Sequence, residues 1–308
     1  MSAGHWASGV TDAETQNRVG VLGATSLVGA CLLPMLSKTG AQVTAFSRSP
    51  MLRPRENGVA WHPLCAAPLA DAPNGSIAAW VCLAPIGVLL DYFDLLEAHG
   101  ARRVVVLSST SIFTKKDSID PHEQAIAQKL VDAEKRVREW AQRRGVEWVI
   151  LRPTLIYGMG LDKNITEIAR FIQRFGFFPV FGKANGLRQP IHAADVAATC
   201  LAALQRPGAA NQTYNISGGE TLTYCNMVTR VCSCLGRRPY LLPVPLWTFR
   251  LAVKVLRRLP RYRLWSVAMA ERMCRDLVFD HAEAARDLGF NPRPFLLTAG
   301  DLPTRSVL

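Results

Sequence analysis

Along the first half of the chain, short apolar runs alternate with longer stretches whose apolar residues recur every three or four positions. Val19–Leu22, Gln42–Phe46, Ala78–Leu83, Arg103–Leu107 and Val146–Leu151 read as strands. Helices are expected over Leu27–Ser37, where Pro34 would introduce a kink, and over Val88–His99 and Glu123–Arg144. Gly100 and Gly145 stand where the last two should stop. Strands separated by helices imply βαβ units, and hence an α/β fold with a parallel sheet covered on both faces.

The second half is less regular. Asn164 followed by Glu167 resembles a capping box, opening a helix with Ile165, Ile168, Ile172 and Phe175 on one face. Residues 190–219 return to the α/β pattern, with a helix starting at Asp195 and a strand at Thr213–Ile216. A last element, Asp280–Leu288, ends at Gly289. Neither an internal repeat nor a low-complexity tract interrupts this order.

Composition narrows the class. With 49% hydrophobic and 19% charged residues over 308 positions, the chain is not of the disordered kind. Residues 19–37 and 72–90 are uncharged, yet glycine and proline break both, so they read as buried core rather than bilayer spans. Residues 1–17 read as a loose polar leader without the features of a signal peptide. Eight cysteines without a CxxC pair or a His/Cys cluster predict reduced thiols, no zinc site and a cytoplasmic protein.

The net charge of +12 is concentrated. Residues 237–275 hold ten Arg/Lys and one acid, Glu271, which is +9 of the total. Within them Arg250, Lys254, Arg257 and Arg258 form one stripe of an expected helix over 246–259, stopped by Pro260. Three readings fit: a surface lying on an anionic membrane at its inner face, a buried helix with a solvated edge, or a phosphate-attracting wall of a substrate cleft. Nucleic acid is not an expected partner, because no recognition motif accompanies the charge.

The strongest local signal is Gly20-Val-Leu-Gly23-Ala-Thr-Ser26-Leu-Val-Gly29, on the turn from the first strand into the first helix. A dinucleotide site needs small residues here for a tight turn, close approach to a pyrophosphate and helix–strand packing. The phosphates then meet the positive end of the helix. The second strand ends in Phe46-Ser47-Arg48-Ser49, without the acid that holds the ribose hydroxyl of NAD. Arg48 suits a 2′-phosphate and so NADP(H) over NAD(H); its alternative is a surface Arg in a turn before Pro50.

Further segments follow in order: Val104-Val-Val-Leu-Ser-Ser-Thr-Ser-Ile-Phe113, Ile150-Leu-Arg-Pro-Thr-Leu-Ile-Tyr-Gly158, Gln189-Pro-Ile-His-Ala-Ala-Asp195 and Tyr214-Asn-Ile-Ser-Gly-Gly219. With the glycine turn they make residues 18–295 resemble an atypical, extended-type short-chain dehydrogenase/reductase, more narrowly the NAD-dependent epimerase/dehydratase-like group. The resemblance implies a Rossmann-type doubly wound parallel sheet with a smaller, interleaved C-terminal substrate domain, and hydride transfer as the chemistry. The Rossmann domain would cover 18–160, and 161–308 would be mainly substrate domain, with 190–219 returning to the first. The implied cofactor contacts are Gly20, Gly23, Ala24, Thr25, Ser26, Leu27 and Val28, then Ser47, Arg48, Ala84, Pro85 and Ser108. Ser109, Ser111, Arg152 and Tyr157 would face the substrate.

The family's acid–base chemistry uses Ser/Thr, Tyr and Lys. Thr110 takes the Ser/Thr position, where its hydroxyl would alternatively satisfy the strand-end backbone. Counting back from Arg152 places Leu130 and Ile126 at the Lys and Tyr positions; slipping one residue finds Lys129, with Ala125 as its partner. No Tyr lies between Tyr92 and Tyr157, so the usual acid is missing. Asp195 is expected to cap the following helix with His192 beside it, and Cys82 to be a small buried hydrophobe. Two functions follow: an NADP(H)-linked oxidoreductase or epimerase acting on a nucleotide sugar or similar phosphorylated metabolite, or a non-catalytic NADP-binding scaffold like an accessory subunit of respiratory complex I. The expected partners are a small-molecule substrate and, in a homodimer, a second copy.

Overall fold

A computed structural model describes residues 17–48, 58–64, 77–245, 247 and 267–304. The expected leader and nearly all of the basic helix over 246–259 lie outside the described residues. The chain forms two compact units, one of Met1–Leu107, Ala133–Ile150 and Cys200–Gln212, the other of Ser108–Asp132, Leu151–Thr199 and Thr213–Leu308.

The first unit alternates as the pattern predicts: β1 (Arg18–Leu22), helix α1 (Leu27–Lys38), β2 (Gln42–Ser47), β3 (Val59–Pro63), β4 (Ala79–Cys82) and β5 (Arg103–Leu107). With β6 (Glu147–Pro153) and β7 (Gln212–Ile216) these strands make a seven-stranded sheet in the order β7-β6-β5-β4-β1-β2-β3. β1 pairs in parallel with both β2 and β4, and β2–β3 and β4–β5 are parallel too. Chain order therefore runs outward from β1 in two directions, the doubly wound arrangement of a Rossmann-type fold. β3 escapes the pattern because most of its residues are only half-buried, leaving no continuous apolar run. The helix expected over Val88–His99 is broken: helical turns at Ile86–Leu89 and Phe93–Ala98 flank a 3-10 turn at Leu90–Tyr92.

Trp80 is the largest fully buried side chain among the described residues. Its indole stacks on Phe46 with ring centroids 5.4 Å apart, leans on His99 at 5.5 Å, and donates its N–H to the Ile77 carbonyl at 2.8 Å. Gly20 is its register partner across β1–β4. A β-carbon on Gly20 would sit 2.5 Å from the indole, so the ring occupies the space a side chain would fill.

In the second unit α3 (Ile165–Phe175) and α5 (Tyr224–Cys234) pack their apolar faces into one core. Strand Phe178–Phe181 joins it and pairs in parallel with Leu241–Val244. Ile165, Ile168 and Ile172 are buried as expected, but Phe175 is exposed, because the last turn of α3 runs past the core. No capping box forms at Asn164. The Asp162 carboxylate accepts from the Asn164 N–H at 2.8 Å and the Thr166 hydroxyl at 2.7 Å, and Glu167 pairs with Arg170 instead. Helix α4 (Ala193–Gln205) starts two residues before Asp195, so Asp195 lies in its first turn and binds the Arg293 guanidinium at 2.9 Å. His192 Nδ1 takes the capping role, accepting from the Ala194 N–H at 3.0 Å.

Gly20→Ala should cost about 1–3 kcal/mol, because a methyl group there forces the indole off its site. A thermal melt should show a clear drop in Tm, and a Gly20→Ala/Trp80→Phe double variant should lose less than the two single changes summed.

Candidate functional site

The glycine turn is built by packing demands that are all internal. Gly23 has φ +76°, and its β-carbon would lie 2.5 Å from the Ala84 amide nitrogen. Gly29, inside α1, would meet the Ala24 carbonyl oxygen at 2.2 Å. Ser26 caps α1, its hydroxyl accepting from the Gly29 N–H at 3.1 Å. Thr25 is exposed at this end, Ser26 and Leu27 are half-exposed, Val28 is buried, and the first turn of α1 carries no acid. A twelve-residue helix with an exposed start and no acid in its first turn suits a pyrophosphate. These residues fit a dinucleotide cofactor.

β2 ends with Ser47 buried and Arg48 exposed. Ala84 is half-buried and Pro85 exposed where β4 leads into the next helical turn. Cys82 is fully buried; burial pushes its thiol up to about 12, so it is a packing residue.

The second unit contains a cavity of about 880 Å³, the size of a metabolite site. One wall is the segment after β5: Ser109, Thr110, Ser111, Thr114 and Lys115. Thr110 donates its hydroxyl to the Pro153 carbonyl at 3.1 Å, which commits its proton to the backbone. Ser109 Oγ accepts from the Ser111 N–H at 3.1 Å, leaving its own proton to be offered into the cavity. Leu155, Phe171, Phe178, Met227, Met273 and Phe279 give the cavity an apolar lining.

Four cations face one carboxylate, Glu167, in this lining: Lys115, Lys163, Arg188 and Arg272. Arg188 is buried and bonds the Leu187 and Arg275 carbonyls at 2.7 and 2.8 Å and the Arg272 carbonyl, its guanidinium resting over the Tyr224 ring. Arg272, in α6 (Val267–Arg272), pairs with the buried Glu123, which also accepts from Ser118 at 2.7 Å. Burial lowers the Lys115 ammonium pKa, and the charge of Arg272 lowers it further. Burial raises the Tyr224 phenol to about 12, so it enters the cavity as a neutral donor.

Sequence candidates and cavity overlap only in part. Ser109, Thr110 and Ser111 line it, whereas Arg152 and Tyr157 do not. Arg152 lies over the Phe113 ring at 5.1 Å. Tyr157 is fully buried against His192 and Phe295, and burial together with the Asp301 carboxylate raises its phenol, so it is a poor proton donor. Ser108 is half-buried, its N–H donating to Leu151. Lys129 and Ala125 are exposed on α2 (Pro121–Arg144) and Ile126 and Leu130 half-buried, all outside the lining. Lys115, Lys163, Arg188 and Tyr224 were not picked out from the sequence; the only available signal was Lys115 closely following the Ser-Ser-Thr-Ser run.

Because Lys115 is desolvated beside a second cation, Lys115→Gln should leave stability unchanged or raise it at pH 7. The lowered pKa means that the unfolded state holds this proton more tightly. The cost is therefore present below the folded-state pKa and fades as pH rises towards the ordinary lysine value of about 10.4. Chemical denaturation from pH 7 to pH 11 should show any advantage of the variant shrinking over that window; a large loss of stability at pH 7 would contradict this account.

Residues 86–217 match the model of the NAD dependent epimerase/dehydratase family. UDP-glucose 4-epimerase of Vibrio cholerae is 25% identical over 207 residues, covering 63% of this chain and 59% of that protein. NADH dehydrogenase (ubiquinone) 1 alpha subcomplex subunit 9, mitochondrial, of Dictyostelium discoideum is 25% identical over 220 residues, covering 66% and 60%. The chain thus spans about three fifths of the length of both relatives. The solved structure of MoeE5 in complex with UDP-glucose and NAD covers 91% of this chain and 94% of its own at TM-score 0.65 and 21% identity, which establishes the shared fold. Residues 86–217 thus carry the likeness to the NAD dependent epimerase/dehydratase family model, within a fold shared with MoeE5.

Proposed function

We propose that the protein binds NADP(H) at the glycine turn and acts, as an epimerase or oxidoreductase, on a nucleotide-linked or otherwise phosphorylated metabolite in the cavity. The observation that carries this reading is the cavity itself: four cations, an apolar lining and a row of hydroxyls. Such a lining favours an anionic ligand with an apolar or ring-bearing portion. The nicotinamide would supply hydride exchange. The chain would hold the anion with Lys115 and Lys163, and offer the Ser109 proton to a substrate oxygen. Arg48, exposed at the end of a strand that lacks an acid, supports a 2′-phosphate contact. The protein would work in the cytoplasm.

A second reading is a non-catalytic NADP-binding scaffold. Its support is the position where the family carries Tyr and Lys: α2 offers Ala125 or Ile126 and, nearby, only the exposed Lys129. The similarity to the mitochondrial NADH dehydrogenase subunit points the same way.

Calorimetric titration should show NADPH binding more tightly than NADH, and Arg48→Ala should erase about tenfold of that preference. An unchanged ratio would remove the 2′-phosphate assignment. Lys115→Gln/Lys163→Gln should weaken UDP-glucose binding about tenfold while leaving NADPH affinity intact. Turnover of NADPH or of a UDP-sugar supports the enzyme; tight cofactor binding with no turnover across sugar nucleotides, quinones and aldehydes supports the scaffold.

A further inference from the structure

Around the end of α3 the second unit exposes a ridge of rings. Phe175, Tyr240 and Leu242 are exposed, and Trp247, three residues beyond the strand Leu241–Val244, is 68% exposed. The rings are continuous: Phe171 to Phe175 at 4.6 Å, Phe175 to Phe177 at 6.4 Å, and Phe177 to Tyr240 at 6.3 Å. Large rings rarely stay in water in such a row unless something covers them.

The charges on the segments that carry the ridge have one sign. Arg174 is exposed with its guanidinium 5.3 Å from the Phe175 ring, Arg238 is exposed, and Arg237 donates to the Gln173 carbonyl at 3.2 Å. Residues 168–183 and 221–270 contain no Asp or Glu. The covering partner is therefore anionic as well as apolar. The ridge also discourages an added peptide strand or a second copy of the chain. Pro243 lies within the outer strand and Pro245 follows it, so neither offers an N–H for edge pairing, and a like-charged copy would be repelled. Phenylalanine, tyrosine and tryptophan bordered by arginine instead match the boundary of a bilayer, where rings enter the headgroup layer and guanidinium groups meet phosphates.

We propose that the ridge Phe175–Tyr240–Leu242, with Arg174 and Arg238 and the exposed Trp247 beyond its strand, docks on an anionic lipid surface and holds the protein peripherally to a membrane. Among the described residues no helix is long and apolar enough to cross one. The docking does not depend on the protein's catalytic competence.

The full chain should co-sediment with phosphatidylcholine vesicles containing roughly one third phosphatidylglycerol, less with pure phosphatidylcholine, and less as salt rises. Arg174→Gln/Arg238→Gln should weaken binding about tenfold, and Phe175→Ser/Tyr240→Ser/Trp247→Ser by more, with circular dichroism unchanged. Should the triple variant misfold, brominated lipid provides the second readout: it should quench tryptophan emission in the wild type and quench less in Trp247→Phe. Equal binding to neutral vesicles, no binding, full binding by both variants, or unaltered quenching in Trp247→Phe would each overturn the proposal. Capture by polyglutamate but not by vesicles would also overturn it, assigning the ridge to an acidic protein.

Discussion

The close approach of backbone to its neighbours at the end of β1 is the constraint on which the first unit depends. Trp80 lies where a Gly20 side chain would be, Gly23 turns with positive φ against the Ala84 amide, and Gly29 lets α1 lie on the Ala24 carbonyl. Each contact is too short for any other residue, so the glycine run is explained by folding before a ligand is considered. What remains for a cofactor is the by-product of that packing: a helix that opens at Thr25 and Ser26 with no acid in its first turn. The same geometry that joins strand to helix would, on the proposed function, make the anion site.

The cavity of the second unit obeys a different balance. Its cations are not neutralised within the lining, since Glu167 is the one carboxylate among four. Arg188 is satisfied by three carbonyls and Arg272 by Glu123, so these two hold the wall together. On the proposed function Lys115 and Lys163 would be the charges offered to a ligand. A site that is electrostatically uncomfortable when empty gains most when an anion enters it.

Much of the architecture was legible beforehand. β1, β2, β4, β5 and β6 stood out because buried parallel strands are nearly continuous apolar runs, and α2 because its period is long and ends at a left-handed glycine. The failures have local causes. The Asn164–Glu167 spacing matched a capping box, but Asp162 reaches the same donors first with a charged acceptor. Asp195 looked like a cap until Arg293, nearly a hundred residues on, claimed its carboxylate. Phe175 has the helical phase of a core residue but lies beyond the end of the core it would join.

Sequence by itself determined the α/β class, the glycine turn with its lack of an acid after β2, and the absence of a tyrosine between Tyr92 and Tyr157. These are properties of contiguous residues, whose chemistry is carried by spacing. Tertiary structure alone decided which side chains share the cavity, because Lys115, Lys163, Arg188, Tyr224 and Arg272 come from five separated segments with no common period. It also decided that Thr110 spends its proton on Pro153, that Tyr157 is sealed in the core, and that Lys129 is exposed outside the cavity lining. Burial and hydrogen-bond partnership depend on what the rest of the chain brings alongside a residue, and local spacing does not encode that.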